Sequence, residues 1–332
     1  MNILKKTIPV FLMILLIAGV FTSCGSSDKK QSDKTLQIVT TVFPAYDWTK
    51  EVLGDRAKDA ELTMLLDDGV DLHSYQPTAE DLEKIASCDL FIYVGGESDE
   101  WVEDALKSKT NKNRVEINLM GALGDSVKEE EEVEGMQAED EHEHEGEKAE
   151  SEEPEQDEHI WLSLRNAEVC TQAIADHLKK LDPSNKTAYE NNETAYKEKL
   201  TGLDKEYQDT VDHAKRKTLL FADRFPFRYL ADDYGLKYYA AFKGCSAETE
   251  ASFKTITFLA NKVDEENLPY VMTIEGSDYK IAKSVISNTK KKTQQILTMD
   301  SMQSTTAQDV KDGKSYLSVM EENLSVLQKA LN

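Results

Sequence analysis

Short apolar runs alternate with amphipathic stretches along the first part of the chain. Apolar runs of about five residues predict strands, and stretches whose apolar residues recur every three or four positions predict helices. The predicted strands are 36–41, 61–66, 90–94 and 115–119, and the predicted helices are 45–53, 78–87 and 100–107. Thr78 and Asp81 have the spacing of a capping box at the start of one helix. This alternation is typical of a parallel sheet with helices on both faces.

The last part of the chain repeats the alternation. The predicted strands are 218–222, 238–242, 270–274 and 295–299, and the predicted helices are 227–234, 251–263, 279–287 and 316–331. In parallel sheets with helices on both faces, ligands lie beyond the carboxyl ends of the strands. Polar or ligand-type side chains follow these strand ends, namely Asp223, Arg224, Cys245, Glu248, Glu250, Glu275 and Asp300. We therefore expect a binding site at this edge.

A long helical stretch separates the two alternating parts. After a helix at 166–181, residues 184–215 contain no proline, and their large apolar residues recur at helical spacing. These residues are Tyr189, Tyr196, Leu200, Leu203, Tyr207 and Val211. About 30 helical residues would reach roughly 45 Å, which is the length of a small domain. The stretch predicts a stiff connection between two lobes, and a packing helix within one domain is the alternative.

Together these patterns predict an α/β protein of two lobes, each with a mostly parallel sheet flanked by helices, joined by one long rigid helix. The first lobe is 35–182, which includes an acidic, histidine-containing loop at 126–158, and the connecting helix is 183–215. The second lobe is 216–332. About 300 residues are enough to give each lobe its own core.

The N-terminus has the pattern of a secretory signal. Lys5 and Lys6 precede an apolar run at 8–20 that is too short and wrongly flanked for a permanent membrane span. The sequence Phe-Thr-Ser-Cys-Gly at 21–25 resembles a bacterial lipobox, which predicts a signal peptide at 1–23 and lipidation of Cys24. A flexible tether would occupy 24–34. We expect an extracytoplasmic protein, lipid-anchored to the cell membrane; a plain secretion signal is the alternative.

Negative charge is concentrated in one run. Residues 129–158 contain 17 acidic residues and one Lys, a net charge of −16 out of −24 for the chain. His142 and His144 lie inside the run, between glutamates, and His159 follows it directly. This pattern predicts accessory metal capture, and a solvated acidic linker is the alternative. Nucleic-acid binding is not expected of so acidic a chain.

Two histidines lie in loops beside ordered elements. His73 follows a predicted strand and precedes the capped helix, and His159 follows the acidic run and precedes another helix. Imidazole and carboxylate ligands together suit zinc, manganese or iron. The chain has neither H-E-x-x-H nor G-x-S-x-G, so we predict a binding protein and not an enzyme; a secreted metalloenzyme is the alternative.

Several motifs, in order along the chain, carry a family resemblance. They are 39–48 with its Phe43-Pro44, the loop 69–78, the strand 89–95, the acidic histidine-containing loop, 159–162, 234–236, 248–252 and the helix 316–331. The chain resembles the metal-binding lipoproteins of bacterial zinc and manganese ABC importers. The resemblance implies a monomer that holds one divalent metal between its lobes and delivers it to an ABC permease and its ATPase. The acidic insertion goes with the zinc branch.

The resemblance also implies ligands. It makes His73 and His159 the two ligands of the first lobe, but Arg224 stands where the family has its third ligand, and Arg cannot ligate. The remaining candidates, in order, are Asp300, Glu275 and Asp223, and Arg224 would pair instead with Glu248 or Glu250. Two histidines with carboxylates also suit manganese or iron(II), so zinc is the first expectation and manganese the alternative. A surface adhesin or a metal buffer is a further alternative.

Overall fold

Two separate parallel sheets organise the computed structural model, which describes residues 35–137, 155–246 and 250–332. The first sheet has the order β2-β1-β3-β4, formed by β1 Leu36–Thr40, β2 Ala60–Met64, β3 Leu90–Tyr93 and β4 Val115–Asn118. The second has the order β6-β5-β7-β8, formed by β5 Thr218–Arg224, β6 Lys237–Phe242, β7 Tyr270–Ile274 and β8 Gln295–Met299. All pairings between neighbouring strands are parallel. The predicted fold class is confirmed.

Helices flank each sheet. In the first lobe they are α1 Phe43–Leu53, α2 Ala79–Ser87, α3 Trp101–Lys107, α4 Leu119–Leu123 and α5 Leu164–Leu181. In the second lobe they are α7 Arg228–Tyr234, α8 Phe253–Glu265, α9 Lys280–Asn288, α10 Ala307–Lys311 and α11 Tyr316–Leu331. The capping box at the start of α2 is confirmed, because Oγ1 of Thr78 accepts from the backbone N of Asp81 at 3.2 Å and the Asp81 side chain accepts in return. Helices α4 and α10 were not predicted, because five residues are too few to show a helical period.

The connecting helix α6 runs over Lys186–Asp212, after a 3-10 turn at Pro183–Asn185. The apolar residues that predicted its inner face are all buried. The helix packs against α1 and α5 of the first lobe and against α7 and α11 of the second. Asn192 donates to the carbonyl of Val52 at 3.0 Å, and the Tyr207 hydroxyl donates to the carbonyl of Met320 at 2.6 Å. The predicted strut between two lobes is therefore confirmed.

Buried hydrogen bonds also join the lobes behind the cleft. The indole N–H of Trp161 donates to the carbonyl of Ser301 at 2.8 Å, and the Tyr316 hydroxyl donates to the carbonyl of Trp161 at 2.6 Å. The backbone N–H of Tyr316 donates to the Asp47 carboxylate at 2.8 Å. Burial raises the pKa of Asp47 to about 6. The back of the interface is thus a packed core, whereas the front opens as a cleft.

The described ends of the acidic loop are ordered against both lobes. Residues 127–137, here called the acidic arm, begin in an antiparallel bridge between Glu129 and Gln156. The arm ends with the backbone N–H of Gln137 donating to the carbonyl of Ala241, on β6, at 2.9 Å. His142 and His144 lie outside the described residues, as do the predicted signal peptide, Cys24 and the tether. Within the described ranges, no helix is long and apolar enough to cross a bilayer.

Candidate metal centre

His73 lies in a 3-10 turn, Leu72–Ser74, in the loop after β2. The turn is capped by Asp71, whose carboxylate accepts from the His73 backbone N–H at 3.1 Å. The ring atom Nδ1 lies 2.7 Å from the hydroxyl of Ser98. Ser98 is itself held, because its backbone N–H donates to Glu158 at 2.6 Å. These contacts fix the ring by one nitrogen and leave Nε2 directed into the space between the lobes.

His159 is completely buried at the end of the acidic loop. One oxygen of Asp157 accepts from the His159 backbone N–H at 2.8 Å and lies 2.9 Å from Nδ1 of the ring. A carboxylate at Nδ1 favours the tautomer that carries its proton there, and so leaves the Nε2 lone pair available to a metal. The Nε2 atoms of His73 and His159 are 3.3 Å apart. The two rings thus present their second nitrogens to the same small region.

The pKa values of the two imidazoles shift in opposite directions. Burial, and then the charge that His159 would carry so close by, lower the pKa of His73 to about 3. Burial also acts to lower the pKa of His159, but the Asp157 carboxylate outweighs it, and the net shift is upward. Two imidazolium ions at this distance would repel strongly. His73 is therefore neutral at ordinary pH, which is the form that ligates.

Cys245 approaches the same region from the second lobe. It lies in the loop that follows β6, three residues after the strand ends, and its Sγ and one nitrogen each of His73 and His159 all lie within 4.8 Å of one another. Burial, followed by the charges of Glu130, Asp157 and Glu158, raises the pKa of its thiol. In the sequence Cys245 follows a predicted strand, and no ligand role was predicted for it. The available signal was its position directly after β6, facing the expected cleft.

Arg224 bridges the lobes in front of the histidines. Its guanidinium donates to the Asp71 carboxylate at 2.6 Å and to the carbonyl of Ser246 at 3.5 Å. Asp71 is the residue that caps the turn of His73, so Arg224 ties that turn to the second lobe. The sequence had suggested Glu248 or Glu250 as its partner. Glu248 lies outside the described residues; among those described, Arg224 forms its ion pair with Asp71 and not with Glu250.

The carboxylates predicted as second-lobe ligands have other partners. Asp300 pairs with Lys314 at 2.7 Å and accepts from the backbone N–H of Met302 at 2.7 Å. Glu275 accepts from the backbone and hydroxyl of Ser301 at 2.7 and 2.6 Å. Asp300, Glu275 and Asp223 are not part of the group formed by the two histidines and Cys245. Their ligand role stays a prediction.

Asp223 and Glu275 nevertheless face the cleft. Asp223 accepts from the backbone N–H of Arg224 at 3.0 Å and of Ile274 at 3.4 Å. Burial raises the pKa of Asp223; burial and then the charge of Asp300 raise that of Glu275. Both line a cavity of about 460 Å³ together with His73. The cavity joins residues of the two lobes, so these carboxylates share one space with the histidine.

Comparisons with known proteins identify the family of the chain. The family model of zinc-uptake complex component A, periplasmic, matches residues 38–330. Zinc-binding lipoprotein AdcA of Streptococcus pneumoniae is 33% identical over 322 residues, which are 96% of this chain and 60% of that relative. High-affinity zinc uptake system protein ZnuA of Bacillus subtilis is 31% identical over 326 residues, which are 96% and 97% of the two chains. The chain therefore spans about 60% of the length of AdcA.

A solved structure shows the same architecture. The Zn(II)-bound ZnuA-like domain of Streptococcus pneumoniae AdcA superimposes with a TM-score of 0.68 and 31% sequence identity. The match covers 90% of this chain and 99% of that domain. The part of AdcA that this chain resembles is thus a unit with its own crystal structure.

Proposed function

Because the chain belongs to the family of zinc-uptake complex component A, we propose that it captures zinc outside the cytoplasm and delivers it to an ABC permease and its ATPase. The observation that carries the proposal is the approach of two imidazole nitrogens to 3.3 Å. Two nitrogens bound at about 2.05 Å to one tetrahedral zinc lie about 3.3 Å apart. The pair therefore already has the separation that a shared zinc ion requires.

In this proposal His73 and His159 are the first-lobe ligands of the zinc cargo. Each ring is held at Nδ1, by Ser98 and Asp157 respectively, so little conformational freedom is lost when Nε2 binds the metal. The second lobe completes the shell, and its candidate carboxylates are Asp300, Glu275 and Asp223 in that order. Each would have to leave its present partners. Manganese is the alternative cargo, favoured by the carboxylates that line the cavity.

The surrounding parts of the chain have supporting roles in the proposal. Residues 1–23 direct export, lipidated Cys24 anchors a monomeric protein to the membrane, and 24–34 is the tether. The loop 126–158 collects cations through its charge and through His142 and His144. Residues 35–182 and 216–332 are the two lobes, and 183–215 connects them. The chain acts by binding and release and has no catalytic step.

Competitive titration calorimetry with zinc and manganese tests the proposal. We expect one tight zinc site that is lost in His73→Ala and retained in His213→Ala. His213 is the control because its exposed ring contacts a carbonyl of its own helix, that of Asp209. Tight zinc binding that survives in His73→Ala would refute the cleft site. A preference for manganese would move the cargo to the alternative.

A further inference from the structure

The second lobe contributes one ligand-type atom to the histidine pair among the described residues. This atom is Sγ of Cys245, which lies within 4.8 Å of the ligand nitrogens. Sulfur and nitrogen bound to one tetrahedral zinc lie about 3.6 Å apart. The thiol therefore needs to move by little more than about 1 Å to join the shell. A small approach of the lobes supplies such a movement.

The loop that carries Cys245 is held in place by contacts from three directions. Its backbone N–H donates to Glu130 of the acidic arm at 3.0 Å. The neighbouring Gly244 lies so close to His159 that a Cβ there would be 3.0 Å from the ring. The carbonyl of Ser246 accepts from Arg224. These contacts set the thiol beside the two rings and leave little room for the loop to turn away.

The position of Arg224 explains why a sulfur is needed. At the point where the family resemblance implies a nitrogen ligand, the guanidinium carries no lone pair and is paired with Asp71. The predicted carboxylates have both oxygens occupied by other groups. Of the candidate donors of the second lobe that the structure describes, the Cys245 thiol is the one grouped with both histidines.

We propose that the Cys245 thiolate is the third protein ligand, so that two imidazoles of the first lobe and one sulfur of the second bind the zinc. This inference rests on the proposed function. On binding, the S–H bond breaks, an S–Zn bond forms and the proton leaves to solvent, with no change of oxidation state. Thiolate sulfur favours zinc over manganese, so Cys245 gives the site selectivity that histidines and carboxylates lack.

Cobalt(II) binding and zinc affinity test the inference on the chain from residue 25 onward, which retains the compact unit Leu36–Asn332. We expect a sulfur-to-cobalt charge-transfer band in the near ultraviolet that disappears in Cys245→Ser. Zinc affinity should fall about 100-fold in the same variant, the loss of roughly one ligand. Thermal unfolding without metal checks that the variant folds like the parent chain.

The possible failures are distinguishable. If His73→Ala abolishes tight zinc binding but Cys245→Ser keeps the affinity within about threefold and the cobalt spectrum unchanged, Cys245 is not a ligand and the proposed function stands. If the parent chain has no tight zinc site, both proposals fail.

A second measurement needs no variant. Cys88 and Cys170 are buried, whereas Cys245 is partly exposed. Because the raised pKa of the Cys245 thiol slows its reaction, we expect iodoacetamide at alkaline pH to modify one thiol slowly without zinc and none with it. Equal alkylation in both conditions would overturn the inference.

Discussion

The first lobe holds each of its two histidines by one ring nitrogen, whereas the second lobe holds each predicted carboxylate by both oxygens. His73 and His159 are fixed at Nδ1, and their Nε2 atoms face each other at 3.3 Å, where a metal could bind both. Glu275 and Asp300 accept from backbone, hydroxyl or ammonium groups at each oxygen. An imidazole can thus be oriented and still ligate, because its two nitrogens point in different directions. A carboxylate fixed at both oxygens must give up contacts first.

Removing a held histidine should have the largest effect. His159→Ala deletes a ligand together with its buried contact to Asp157, and we expect zinc affinity to fall at least about 100-fold, or about 3 kcal/mol. Calorimetry measures the change. His177→Ala is the matched control, because that ring contacts the carbonyl of Ala173 in its own helix. Equal zinc affinities of His159→Ala and His177→Ala would mean that His159 is not a ligand.

At the back of the interface the first lobe supplies a carboxylate, that of Asp47, which accepts from the backbone N–H of Tyr316 in the second lobe. Burial raises the pKa of Asp47 from 3.8 to about 6. A raised pKa means that ionisation disfavours the fold: stability is fully present below pH 3.8 and is lost as the pH rises through about 6. Asp47→Asn should therefore raise the free energy of unfolding at pH 8 by up to about 3 kcal/mol. The gain should vanish near pH 3.5 in urea titrations; a gain independent of pH would contradict the cause.

The ion pair between Asp71 and Arg224 links the turn that carries His73, in the first lobe, to the second lobe. Arg224→Gln removes the bridge while Asp71 still caps the turn of His73, and we expect zinc affinity to fall about tenfold. Asp71→Asn should cost a similar amount. In the double variant the two losses should not add, which a double-mutant cycle by calorimetry would show. Fully additive losses would mean that the pair does not couple the lobes at the metal.

Releasing a carboxylate tests the second lobe directly. The partly exposed bridge from Lys314 to Asp300 contributes about 1 kcal/mol. If Asp300 completes the zinc shell, Lys314→Met should tighten zinc binding by up to about fivefold, since the metal no longer competes with the ammonium group. Lys311→Met, on the exposed side of α10, is the control. Unchanged affinity would leave Asp300 as a structural partner of Lys314.

The acidic loop should matter least to the cleft affinity. Replacing 138–154 with a Gly/Ser segment of equal length removes His142 and His144 but leaves the acidic arm and the residues before His159 intact. We expect the tight site to keep its affinity within about twofold, while the rate of zinc uptake falls at low ionic strength. Stopped-flow mixing with a zinc indicator measures that rate. Loss of the tight site would mean that the loop, and not the cleft, binds the metal tightly.

The sequence was sufficient to predict the helices and strands in which apolar residues recur at regular spacing. Every strand of the described ranges and the inner face of α6 were predicted, because buried apolar residues at regular spacing report local structure. His73 and His159 could be chosen because each lies in a loop between regular elements. The partner of Arg224 could not be predicted, since Asp71 lies 153 positions away along the chain. The same holds for Cys245, whose nearness to the histidines follows from the packing of one lobe on the other.

The acidic arm has a consequence for solubility. In the second sheet β6 is an edge strand, and the hydrogen bond from Gln137 to Ala241 covers part of that edge. An uncovered strand edge is a template for pairing with another chain, and proteins commonly block such edges with charge. Here the blocking segment is fastened by Glu131, which binds Arg228 and Tyr238. The acidic arm therefore protects the protein against aggregation. A deletion that removes the arm would expose the unpaired edge of β6 and would also remove negative charge.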